Sequence, residues 1–394
     1  TRRSSDLVSV LTEPTAFGGS FGCLARMRAL TTLPILAKDV TVDERQILAA
    51  RAAGADAVLL MLSVLEPEAC RRLAAFAKRL GLDVITEASG EAEVLEAAAS
   101  GAEIIGINHR NLRDLTIDLD RSARLAHLVP GDRILVAESG IRTHTDVERV
   151  ARAARVFLVG SVLNQTDDVS LAVRRLVFGE MKVCGITRAD DAARAALEGF
   201  SAAGVVLAKR SPKAVTPEAL VVLSNEIKER TKALGLTMPV TAVVDAGETD
   251  VLRAIASPAA AGAFTTLQVH GDVTDADLEG LRVLFPGKAL HLAAALPEDP
   301  VELAEAARRL EGLLERGLAD RIVVDGTSGG LTGGSGRTVP QARLAAFGDL
   351  SRIRLAGGLT PENARTAAAA GAAGLDANSG VESAPGLKDP RLLA

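Results

Sequence analysis

Short aliphatic runs recur along the chain roughly every 20–35 residues, each followed by a stretch rich in Ala, Leu, Arg and Glu, and this beat restricts the fold more than any other feature. Strands covered by helices on both faces read as unbroken aliphatic runs rather than as alternating ones. In the first half the spacing predicts strands at Leu7–Leu11, Pro34–Ala37, Ala57–Leu60, Asp83–Thr86, Glu103–Ile107, Ile134–Ala137 and Val156–Val159. Gly54, Gly81 and Gly101 close the intervening helices, where a left-handed C-terminal cap is expected.

A break falls at Phe178-Gly179-Glu180, and the beat then restarts. The second set is predicted at Lys182–Cys184, Gly204–Leu207, Pro239–Val244, Thr265–Val269, Ala289–Leu292, Arg321–Val324, Ile353–Ala356 and Ala373–Leu375. The expected fold is α/β: two tandem eight-stranded βα barrels over residues 1–178 and 181–394, the first lacking its opening βα unit. A doubly wound sheet shares the alternation. Polar residues and glycines gathered at strand C-terminal ends favour barrels.

Composition narrows the function classes. Hydrophobic residues are 48% of the chain and aromatics 2%, with no Trp or Tyr, so aliphatic side chains must do the packing. A net charge of -5, with no basic stripe carrying interleaved aromatics, argues against nucleic acid as a partner. Cys23, Cys70 and Cys184 lie far apart, and the five histidines are scattered, which argues against disulfides or a metal site. No stretch reads as a membrane span or signal peptide, so a cytoplasmic protein acting on small molecules is expected. Neither a phosphate-loop lysine motif nor a dinucleotide fingerprint appears, so no cofactor is expected. Protein partners are not readable.

The last two strands of each half end in small-residue turns. In the first half these hold Ser139, Gly140, Gly160 and Ser161; in the second, Gly357, Gly358, Ser379 and Gly380. Such turns are often plain βα connections. Two matching pairs, however, sit where barrels of this class bind phosphate with backbone N–H groups and a helix N-terminus.

The words of the sequence add a resemblance. "PILAKDV", "DAVLLMLSVL", "TEAS", "GINHRNL", "AESGI" and "VGSVL" occur in an order that resembles indole-3-glycerol-phosphate synthase. "KVCGIT", "SPK", "LQVHG", "VDGTSGGLTGGSGRT", "LAGGLTPEN" and "GLDANSGVES" follow and resemble phosphoribosylanthranilate isomerase. The order resembles the bacterial fusion of these tryptophan-biosynthesis enzymes over nearly the whole chain.

For the second half the resemblance implies an Amadori rearrangement of a phosphoribosyl amine carrying anthranilate, with Cys184 as base and Asp325 as acid. A thiol suits that task only when its surroundings lower its pKa from about 8.5, and a Cys in an aliphatic strand equally suits a core. Lys213 stands where the family shows Arg, facing the anthranilate carboxylate, and His270 falls among substrate-binding positions. Gly333–Thr338 resembles the family's glycine-rich loop. Asp245 and Leu292 are departures: a negative charge near an anionic substrate, and an apolar residue where the fifth strand usually ends polar.

For the first half the resemblance implies a decarboxylating ring closure, with Lys38 as acid, Glu87 as base, and Asn108 and Glu138 around the substrate. The family's first strand, which carries a Glu and a second Lys, has no counterpart before Leu7. A chain shortened at its front and slightly at its end, without synthase turnover, is therefore the expectation. Two rival readings stand beside the fusion: an isomerase of another phosphoribosyl amine, and a non-catalytic remnant serving as a scaffold.

Overall fold

A computed structural model describes residues 7–112, 114–326 and 338–394. Its contacts divide the chain into two compact units, parted between Asp167 and Asp168.

The first unit carries seven parallel strands in sequence order: β1 (Val8–Leu11), β2 (Ile35–Lys38), β3 (Ala57–Met61), β4 (Asp83–Ala88), β5 (Ile104–Asn108), β6 (Ile134–Glu138) and β7 (Val156–Leu158). Each strand is paired with the next by a crossover helix, as parallel neighbours require. Among the described residues the sheet does not close, and β1 and β7 are its edges. Gly54, Gly81 and Gly101 have φ of 99°, 71° and 80°, the left-handed caps expected after these helices.

The second unit closes. Its strands β8 (Glu180–Val183), β9 (Ala202–Val206), β10 (Val240–Asp245), β11 (Thr266–His270), β12 (Ala289–Ala295), β13 (Arg321–Asp325), β14 (Ile353–Ala356) and β15 (Gly374–Ala377) form an eight-stranded barrel, β15 pairing back onto β8. The helix Val169–Phe178 belongs to this unit: buried Arg174 donates to the carbonyls of Phe200, at 2.6 Å, and of Thr237. A short hairpin, β16 (Glu382–Ala384) with β17 (Leu387–Lys388), follows the barrel.

Strand parity sorts the side chains. Val183, Val205, Val244, Val269, Leu292, Val324 and Leu355 join the cluster packed against the helices. The alternate residues fill the barrel, and many are polar. Lys182 of β8 donates to Gln268 of β11 at 2.9 Å, and because those strands are not neighbours the bond must cross the interior. Nearer the strand N-terminal ends, Arg321 and Arg354 share the carboxylate of Glu180, each at 2.8 Å.

This parity corrects the reading of Leu292. It lies mid-strand in β12, 2% exposed and facing the helices, so it is no mouth position. The residue registered beside Asp325 is Ala295.

Candidate functional site

In the first unit, four predicted residues meet at strand C-terminal ends. Lys38 ends β2, Glu87 lies one residue from the end of β4, and Asn108 and Glu138 end β5 and β6 in mutual register. Lys38 Nζ lies 3.2 Å from Glu138 Oε2 and 3.9 Å from Glu87 Oε2, while Asn108 Nδ2 donates to Glu87 Oε1 at 3.0 Å. Glu87, Asn108 and Glu138 are buried, and Lys38 is about a third exposed. Burial pushes the Glu138 carboxyl up to about 7; Lys38 opposes the rise and neighbouring Glu87 adds to it. A cation thus stands between two carboxylates, one of which keeps a proton readily near neutral pH.

Two further residues shape this site, and the sequence reading passed over both. A Cβ on Gly106 would stand 2.2 Å from Glu138 Oε1, so only glycine leaves that carboxylate its place. His109 bridges Ser139 O at 2.9 Å and Ser122 Oγ at 2.6 Å. A carbonyl can only accept, so His109 Nδ1 carries the hydrogen and Nε2 takes the hydroxyl's. The bridge holds two successive left-handed residues, Ser139 at φ 68° and Gly140 at φ 82°. On the neighbouring strand, Gly160 precedes the short helix that Ser161 opens.

In the second unit Cys184 follows β8 and Asp325 ends β13, with β14 and β15 between them around the ring. Each residue is 6% exposed. The thiol has room because Gly204 lacks a side chain: a Cβ there would lie 2.8 Å from Cys184 Sγ. Gly357 and Gly358, at φ 83° and 57°, follow β14, and Ser379 and Gly380 follow β15. These two loops touch, since a Cβ on Gly380 would stand 2.0 Å from Leu359 O. Asn363 ties the first loop down, donating to Gly358 O at 2.8 Å.

His270, ending β11, is reached by a chain of polar groups. Lys182 donates to Asp376 at 2.6 Å and to Gln268 Oε1, which turns the Gln268 amide nitrogen toward His270 Nε2 at 3.0 Å. His270 Nε2 therefore accepts and Nδ1 carries the hydrogen, buried and without a protein partner. Burial, then the charge of Lys182, pushes this imidazole down to about 4, so it is neutral.

Lys213 is held by contacts within the protein. Its Nζ bonds Asn378 Oδ1 at 2.6 Å and both oxygens of Glu382 at 3.1 Å, and the side chain is 10% exposed. Lys388 shares Glu382 at 2.7 Å from within the hairpin. Neither Glu382 nor Lys388 was predicted; the Pro385-Gly386 turn signal between them was the available sign of a hairpin pairing them. Asp245 does bring its charge to the mouth, in register with His270, but Arg210 neutralises it at 3.3 Å.

Of the predicted glycine-rich loop, Gly333 to Arg337 lie outside the described residues. Among the described residues no cluster of His, Cys, Asp and Glu is fit to hold a metal ion, and no helix is long and apolar enough to cross a membrane.

Comparison with known proteins matches each half separately. A family model described as indole-3-glycerol phosphate synthase matches residues 2–176, and one described as N-(5'phosphoribosyl)anthranilate isomerase matches residues 181–394. The tryptophan biosynthesis protein TrpCF of Yersinia pestis is 39% identical over 392 residues, covering 98% of this chain and 76% of the relative. Those of Vibrio cholerae and Corynebacterium glutamicum are also 39% identical, covering 98% and 95% of this chain and 77% and 75% of theirs. Among solved structures, phosphoribosyl anthranilate isomerase from Thermus thermophilus is 29% identical over 54% of this chain and 94% of its own, with a TM-score of 0.42.

Proposed function

From a chain that belongs to the TrpCF family of bifunctional tryptophan-biosynthesis enzymes, we propose a residue-level assignment of its two activities. The family activities are an isomerisation of N-(5-phosphoribosyl)anthranilate to the carboxyphenylamino-deoxyribulose phosphate, and its decarboxylating closure to indole-3-glycerol phosphate. The isomerase is assigned to residues 181–394 and the synthase to residues 1–178.

In the isomerase half Cys184 takes the proton from the sugar C2, and Asp325 protonates the ring oxygen that leaves C1. Gly357, Gly358, Ser379 and Gly380 receive the phosphate through backbone N–H groups. Neutral His270 offers its Nδ1–H to the substrate. The observation carrying this reading is the placement of two buried groups, a thiol and a carboxylic acid, at C-terminal strand ends on different sides of one barrel mouth.

In the synthase half Lys38 polarises the ketone and protonates the departing hydroxyl, while Glu87, oriented by Asn108, receives the ring proton. Glu138 holds Lys38 between the two carboxylates. Ser139, Gly140, Gly160 and Ser161 bind the phosphate. Cytoplasmic residence, with phosphorylated small molecules as substrates, completes the proposal.

The test follows the fluorescence of phosphoribosylanthranilate as it is consumed. Cys184→Ser and Asp325→Asn should each lower kcat by roughly a hundredfold or more, as loss of a general acid or base does. Variants that retain most of the parental kcat would remove these two residues from the mechanism.

A further inference from the structure

The N-terminal end of the closed barrel, opposite the mouth with Cys184 and Asp325, gathers more positive charge than negative. Arg321 opens β13, Arg354 is second in β14, and His291 is third in β12, in register with Arg321. Each alternates with residues packed against the helices, Ile322, Leu355 and Leu292, so all three side chains turn into the barrel. Both guanidiniums bond one oxygen, Glu180 Oε2, each at 2.8 Å, so they stand side by side and a single carboxylate answers two arginines.

Other carboxylates in the neighbourhood are committed. Asp376, one layer nearer the mouth, pairs with Lys182 at 2.6 Å, and Asp320 pairs with Arg282 at 2.8 Å. Arg352 and Arg175, the latter exposed on the helix Val169–Phe178, add positive charge around Arg321. Burial, then repulsion from Arg354, brings the Arg321 guanidinium down to about 10. Donors are also in excess: Arg321 Nη1, Arg354 Nε and Nη1, and His291 Nδ1 are buried without a hydrogen-bond partner in the protein. The Arg354 side chain is 5% exposed and His291 8%. Water would satisfy such donors but leave the charge, whereas an anion answers both. Glu180, 27% exposed along its side chain, leaves the cluster reachable from the rim.

We propose that Arg321, Arg354 and His291 form a binding site for a small inorganic anion, which supplies the negative charge that Glu180 alone does not. Neutral His291 joins as a donor in the tautomer that carries its hydrogen on Nδ1. The site lies at the other end of the barrel from the phosphate turns and does not rest on the isomerase reading. Its occupant acts on the stability of the barrel, not on the reaction.

The experiment is hydrogen exchange on the full chain, read at β12–β14 amides, in sodium chloride against sodium gluconate at equal ionic strength. Raising chloride from about 10 to about 300 mM should slow exchange at least about threefold, as a ligand of the folded state does, while bulky gluconate should not. Arg354→Met, which leaves one arginine to one carboxylate, should lose the response. Glu180→Gln, which removes the competing negative charge, should strengthen it and keeps the test open if Arg354→Met fails to fold. Sodium sulfate replaces chloride in a further arm: a response to sulfate alone, lost in Arg354→Met, assigns the site to an oxyanion rather than a halide. A response that Arg354→Met retains in full, or that Glu180→Gln weakens, overturns the proposal. So does equal behaviour of chloride, sulfate and gluconate. A crystal soaked in sodium bromide should place an anomalous peak within hydrogen-bond reach of both guanidiniums, and bromide found only elsewhere also overturns it.

Discussion

Lys182 and Asp376 form an ion pair at 2.6 Å inside the closed barrel, with the lysine side chain wholly buried and the carboxylate nearly so. Water is excluded, so each charge depends on the other and on Gln268. Lys182→Met should leave Asp376 an uncompensated buried charge and cost about 3–5 kcal/mol. The paired change Lys182→Met with Asp376→Leu should recover most of that loss, because an apolar pair of similar volume is often neutral. Urea midpoints of the single and double variants decide it: a double variant as unstable as the single would show that the pair's packing matters, not its charge.

Gly204 and Gly312 predict opposite outcomes for the same substitution. Alanine at Gly204 puts a methyl 2.8 Å from Cys184 Sγ. Isomerase kcat should fall by roughly tenfold or more as the thiol is displaced by a few tenths of an ångström. Gly312 lies within the helix Pro300–Glu315, where an added Cβ meets nothing within 4 Å. Gly312→Ala should raise stability by up to about 1 kcal/mol and leave kcat unchanged. Kinetics and thermal midpoints of the two variants, measured together, check both signs.

Ser139 holds a left-handed backbone, φ 68°, without glycine's freedom, and its carbonyl is fixed by His109. Valine there should cost about 1–2 kcal/mol from the clash of its branched Cβ with the backbone. Glycine should be neutral or stabilising by up to about 1 kcal/mol, the strain relieved offsetting the entropy lost. If both variants melt with the parent, the strain lies elsewhere.

Strand positions and chemistry-bearing ends were legible because barrel strands are aliphatic runs whose last residue breaks the pattern: Lys38, Glu87, Glu138 and Asp325 each stand out as a charge closing such a run. Face was harder. Leu292 was misread because β12 runs three residues further, to Ala295, and an all-aliphatic strand gives no parity signal. Gly106 and Gly204 were invisible for another reason: each is needed for the space it leaves to a side chain on a neighbouring strand, Glu138 or Cys184. The pairing of Lys213 with Glu382 spans 169 residues, and no local pattern reports a partner at that range.

The two halves should respond to pH in opposite senses. In the first, Glu138 titrates near 7 when folded against an ordinary value of 4.5, so the folded state holds its proton longer. Its contribution is fully present below 4.5 and is lost as pH rises through about 7. In the second, burial and the charges of Arg354, Arg321 and Lys182 push His291 down to about 2, and burial with Lys182 pushes His270 to about 4. Unfolded imidazoles take up protons near 6.5, so this contribution is present above 6.5 and is lost as pH falls toward the folded values. Lowering pH from 7 to 5 should therefore raise the protection of β4–β6 amides relative to the Glu138→Gln variant, by hydrogen exchange. The same change should lower that of β11–β12 amides relative to His291→Leu. A shared slope in both halves, unaltered by either substitution, would assign the pH response to other groups.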